Sequence, residues 1–142
     1  MEDAMQERIE PTGWQAVAPG AAPDIAFEFG NEPTAPRAAR RILGQLPIGD
    51  QHLAECISLV ASELVSNVVM HTNGGGCLRA WNNDPLRLEV QDHHPHLPVR
   101  PGDPDECGGR GLGIVDGIAD GWGAQFDDRG KTLWVEFRRS AR

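Results

Sequence analysis

Apolar side chains at Leu53, Ile57, Val60, Leu64 and Val68 recur every three or four residues, the period of a helix with one buried face. Asp50 is placed to cap that helix and Asn73-Gly74-Gly75-Gly76 to stop it, so the pattern predicts a helix over 50–71. Upstream, Ile25-Ala26-Phe27-Glu28-Phe29 alternates apolar with other positions and reads as a short strand, closed by Gly30-Asn31. A helix over 34–46 follows, with Thr34 as cap, Pro36 in the first turn and Pro47 beyond its end. Its apolar side is Ala35, Ala38, Ala39, Ile42, Leu43 and Leu46, and Arg37, Arg40 and Arg41 lie on its polar side. Such arginines are ordinarily a solvated face and less often a partner contact.

Further along, Cys77-Leu78-Arg79-Ala80-Trp81 and Leu86-Arg87-Leu88-Glu89-Val90-Gln91 flank the turn-forming Asn82-Asn83-Asp84-Pro85, which predicts an antiparallel hairpin. Four prolines between 93 and 109 exclude helix or central strand, and a loop of that length has the character of a lid. A third helix is expected over 110–122, with Leu112, Ile114, Val115, Ile118 and Ala119 apolar, and Thr132-Leu133-Trp134-Val135-Glu136-Phe137 forms a last strand. Residues 1–23 are rich in Ala, Pro, Gly and acids without a sustained period. They read as a flexible N-terminal arm, leaving one domain over 24–142.

Composition narrows the function classes. A net charge of -8 over 142 residues, with no stripe of Lys and Arg to displace counterions, argues against direct nucleic-acid binding. Cys56, Cys77 and Cys107 are widely spaced and odd in number, so neither a disulfide framework nor a zinc knuckle is implied. No basic segment followed by an apolar run opens the chain, and no 18-residue apolar stretch is evident. The expectation is a cytoplasmic protein without a membrane segment.

The chemistry-bearing residues begin inside the second helix. Glu63, Asn67 and His71 are four residues apart, so a carboxylate, an amide and an imidazole share one stripe. Gly109-Arg110-Gly111-Leu112-Gly113 is close to a dinucleotide fingerprint, but the third glycine would fall on Ile114 and no strand precedes it. Gly130-Lys131-Thr132 ends like a phosphate-binding P-loop, yet its earlier glycine would fall on Gln125 and a strand follows. Glycines that open a helix nevertheless leave backbone N–H groups accessible to an anion. Residues 109–113 therefore read either as a phosphate seat or as a tight loop-to-helix joint. His93-His94-Pro95-His96 has no ligand spacing of a helical or finger metal site, and Ser62 with His71 lacks the geometry of a hydrolase pair.

Taken in order, Glu63-x-x-x-Asn67-x-x-x-His71, Asp92 at a strand end, Gly109-Arg110-Gly111-Leu112-Gly113 and Gly130-Lys131-Thr132 before a last strand resemble the histidine kinase-like ATPase domain. That domain is shared by gyrase, heat-shock chaperone, sensor histidine kinases and mismatch-repair proteins. Within the superfamily, the size and Ser62-Glu63-Leu64-Val65-Ser66-Asn67 are similar to the stand-alone anti-sigma-factor serine/threonine kinases of bacteria. The resemblance implies an α/β (α+β) two-layer sandwich, with three helices on one face of a mixed, mostly antiparallel sheet.

It also implies roles. Asn67 would give its amide oxygen to Mg²⁺ and Glu63 would be the catalytic base. Asp92 would accept from the adenine amino group of ATP, with Thr132 joining it. Gly109, Arg110, Gly111, Leu112 and Gly113 would line the phosphates. His71 would either contact the phosphate side or complement the helix dipole. The implied partners are an anti-sigma antagonist, phosphorylated on serine or threonine, and a sigma factor, with no direct nucleic acid and no membrane; room is left for a homodimer. The alternative is a regulatory binding module of the same fold, with or without bound nucleotide, that works by contact alone.

Overall fold

A computed structural model describes residues 6–7, 21–71, 74–93, 110–127 and 130–139. Along the chain run strands β1 (Gln6–Glu7) and β2 (Ile25–Phe29), helices α1 (Ala35–Leu43) and α2 (Gln51–His71), and strands β3 (Gly76–Trp81) and β4 (Leu86–Asp92). Helix α3 (Arg110–Ile118) and strands β5 (Gly121–Asp127) and β6 (Gly130–Phe137) complete the described elements. The expected loop over 93–109 lies outside the described residues apart from His93, as does Gly109.

The architecture is α+β. Its strands form one sheet in the order β1-β5-β6-β4-β3-β2, and every described pairing is antiparallel. The parallel component of the expected mixed sheet is not present among the described residues. Each strand neighbours another through a hairpin or an antiparallel return, which leaves no place for a parallel crossover.

One face of the sheet meets the helices. Leu78, Ala80, Leu88, Val90, Leu133 and Val135 alternate along β3, β4 and β6 and share a single buried cluster with Ala39 of α1, Leu64 of α2 and Val115 of α3. In α1, Ala35, Ala39 and Leu43 are four apart and buried, and the two alanines let α1 lie close against α2. Thr34 holds the cap position without a side-chain cap bond, and α1 stops at Leu43, short of the expected 46, as Gly44 and Gln45 turn the chain. Asp50 does cap α2: its Oδ1 accepts from the Leu53 N–H at 3.0 Å. Helix α2 is long and apolar enough to cross a membrane by length and composition alone, contrary to the expectation that no such stretch exists. Its packing gives that apolarity a use, since Ile57, Val60, Ala61, Leu64, Val65 and Val68 are all buried.

Two further expectations are corrected. The third helix ends at Ile118, and residues 121–127 are a strand rather than its last turn. The stretch 1–23 is not wholly a loose arm, because Gln6 and Glu7 pair with Gln125 and Ala124 at the sheet edge and the Ala21 carbonyl accepts from Trp81 Nε1 at 3.0 Å.

Candidate functional site

Several elements bring their ends to one end of the sheet. Register sets Gly76, where β3 begins, opposite Asp92, where β4 finishes, and sets Asp92 opposite Lys131 near the start of β6. Helix α2 must finish at this end too, because only residues 72–75 join His71 to β3. Strand β5 starts at the far end, with Gly121 across from Glu136. Helix α3 runs into β5 after two residues.

Asp92 is the unusual side chain here. Directly opposed residues of an antiparallel pair project to the same face, so Phe29, Gly76, Asp92, Lys131 and Phe126 form one row across the helix-facing side. Both phenylalanines are buried, and Asp92 itself is only 3% exposed. A carboxylate carried this far into an apolar row needs polar partners to offset its lost hydration. Gly76 keeps the row tight: a Cβ there would sit 2.1 Å from the Gln91 carbonyl oxygen. Gly75 must also be glycine, with φ at 71° and the Phe29 carbonyl 2.2 Å from where its Cβ would be.

On α2, Glu63 and Asn67 are half-buried and His71 is exposed. Ala54 and Ser58 line a cleft shared with α1. At 100° per residue Glu63 and Asn67 fall about 140° and 180° around the helix from Ser58, on the flank away from α1. Helix α3 also packs against α2. Arg110, Gly111, Leu112 and Gly113 make up the first turn of α3, so their backbone N–H groups have no acceptor within the helix.

No protein-family model and no curated protein matches this chain.

Asp92 thus lies at the end of the sheet where α2 finishes with His71, with Asn67 and Glu63 one and two turns earlier on that helix and Arg110, Gly111, Leu112 and Gly113 opening α3, while Gly109 falls outside the described residues. It does not bring Thr132 to Asp92. Thr132 opposes Gln91 and Gln125 and shares the opposite face with Trp134 and Glu136. Lys131 is the residue set beside Asp92, and sequence reasoning missed it. The signal was present: Leu133, Val135 and Phe137 are the inward positions of β6, and position 131 continues their alternation.

Chemically, the site offers a buried acceptor, a half-buried amide, a second carboxylate, a flexible cation and a helix N-terminus. Among the described residues no three His, Cys, Asp or Glu side chains converge as a metal cage. A magnesium ion does not require one, since it takes one or two protein oxygens and fills its octahedron with water and phosphate. Gly113 is exposed and nothing lies within 4 Å of a Cβ added there, as at Gly117, so packing does not demand glycine at either position.

Proposed function

We propose that the chain binds Mg-ATP in the manner of the histidine kinase-like ATPase domain and transfers phosphate to a serine or threonine of an anti-sigma antagonist in the cytoplasm, holding a sigma factor when the antagonist is absent. The observation that carries this reading is Asp92, a buried carboxylate at the end of a central strand, beside the helix that bears Glu63 and Asn67. An adenine amino group is a donor of the kind a carboxylate accepts, so the role that the resemblance gives Asp92 agrees in chemistry with its acceptor oxygens. Asn67 would hold the magnesium ion, which when bound neutralises charge on the phosphates. First-turn amides of 110–113 would stabilise the phosphate oxygens. Glu63 accepts the proton of the attacking hydroxyl. As its oxygen bonds to the γ-phosphorus, the bond from that phosphorus to the β–γ bridging oxygen breaks and ADP departs.

A second reading is favoured by one observation, the outward-facing register of Thr132. A site without that hydroxyl beside Asp92 suits a regulator that works by contact, with nucleotide as a structural ligand or with none.

Glu63→Ala separates the two. Under the kinase reading ATP affinity stays within a few fold while phosphate transfer to a purified antagonist falls roughly 10²–10⁴-fold. Undetectable transfer by the wild type to every candidate antagonist, with ATP still bound, would leave the contact regulator. Loss of ATP affinity in the variant would mean that Glu63 binds rather than reacts.

A further inference from the structure

A cleft of about 1020 Å³ lies between α1 and α2 and shares no lining residue with the Asp92 site. Arg37, Arg40 and Arg41 form its α1 side, with Leu46, Ile48 and Leu59 beside them. Leu59 is one of two large apolar side chains that the described residues leave exposed, at 42%. Three guanidinium groups within five residues are a concentrated cation for a chain of net charge -8. None of the three makes an ion pair among the described residues. The two carboxylates on the α2 side are used locally: Asp50 caps its own helix, and Glu55 accepts from Gln51 at 3.3 Å.

Helix stability does not account for this arrangement. Arg40 and Arg41, in the last turn of α1, complement the negative end of its dipole. Arg37 is in the first turn, where a cation is unfavourable and where no acidic residue offsets it. What the three share is the cleft.

We infer that this cleft docks an acidic segment of a partner protein, one that sets two or more carboxylates against Arg37, Arg40 and Arg41 and an apolar anchor against Leu46, Ile48 and Leu59. Arginine forks pair bidentately with carboxylates, and the apolar floor selects a peptide over a free anion. The inference goes beyond the nucleotide reading and does not depend on it. Mg-ATP affinity, measured on the same variants, keeps the failure of one distinct from the failure of the other.

The test begins with a random-peptide phage library selected against the full chain at low salt. Enriched peptides are expected to carry clustered Asp or Glu next to Leu, Ile or Phe. A synthetic copy of the best one, followed by fluorescence anisotropy, should bind the triple variant Arg37→Glu/Arg40→Glu/Arg41→Glu on the order of tenfold more weakly, and should weaken with added salt. Because the arginines are exposed, the variant should fold, its Tm shifted only by the dipole effects lost at Arg40 and Arg41 and gained at position 37; a triple Arg→Gln variant gives the same reading if charge reversal perturbs folding. Leu59→Asp should weaken the peptide further. Enrichment without acidic residues, equal binding to the triple variants, or displacement of the peptide by millimolar inorganic phosphate would each overturn the inference, the last by making this a small-anion site.

Discussion

Gly113 and Gly117 stand at exposed positions of α3 where an added Cβ meets nothing within 4 Å. Glycine in a helix costs about 0.5–1 kcal/mol relative to alanine, so both substitutions to alanine should raise the thermal midpoint of the unliganded chain. They should differ toward ligand. Gly117→Ala should leave Mg-ATP affinity as it was, whereas Gly113→Ala, in the turn proposed to face the phosphates, should weaken it; equal affinity in both variants would send the phosphates elsewhere. Cys77 offers a test of burial. It is buried, and desolvation is the main cause that pushes its thiol above the ordinary value, as burial does for Cys56. A raised folded-state pKa means that the stability associated with the neutral thiol is fully present below the unfolded-state pKa of about 8.5 and is lost as pH rises through the folded value. Denaturant unfolding across that window should show a decline that Cys77→Ala makes shallower, and an identical slope in the variant would contradict the burial. At this scale the four-residue spacing of Glu63 and Asn67 on one helix and the place of Asp92 at a strand end were legible in the sequence. It misled at Thr132 because a motif was matched where strand alternation points to Lys131.

Glycine also explains what was hard to read among the elements. Strand β5 alternates Trp122, Ala124 and Phe126 toward the core, but Gly121 and Gly123 break the strand pattern in the sequence, where the apolar period of α3 runs on through Ala119. Gly123 is there for close approach: its Cβ would lie 2.8 Å from ring atoms of Trp134, the residue directly opposite. At the turn before β5, the Asp120 N–H donates to the Glu136 carbonyl and Asp120 Oδ2 accepts from the Arg138 N–H, which holds the chain to β6 rather than to the helix. The hairpin and α2, by contrast, were legible nearly to the residue, since their caps and turns are local chemistry. On the sheet face away from the core cluster, Arg87 ties β4 to β6. Its guanidinium donates to Glu136 at 2.8 Å and to Glu89 at 2.9 Å, and lies 4.8 Å from the Trp134 ring centroid. Glu136 is 1% exposed. Arg87→Ala leaves that carboxylate buried without its cation and should cost about 3–5 kcal/mol, while Arg87→Met with Glu136→Leu should recover most of the loss. Urea melts of the two variants decide the matter; a single substitution costing under about 1 kcal/mol would mean that the pair is effectively solvated.

For the whole molecule, the antiparallel sheet does the organising. It sets Asp92 and Lys131, distant in sequence, opposite one another at the end where α2 finishes. The number and order of helices and strands could largely be read from hydrophobic period, whereas the register that separates Lys131 from Thr132 depends on long-range pairing. The most direct measurement of the central proposal is the thermal midpoint titrated with ATP, with and without Mg²⁺, for the wild type and Asn67→Ala. At 100 times Kd, Mg-ATP should add about 2.7 kcal/mol of stability to the wild type, a rise on the order of 10 °C, and the magnesium dependence should vanish in Asn67→Ala. A midpoint that stays flat across millimolar Mg-ATP would contradict nucleotide binding at Asp92 and with it the proposed phosphate transfer.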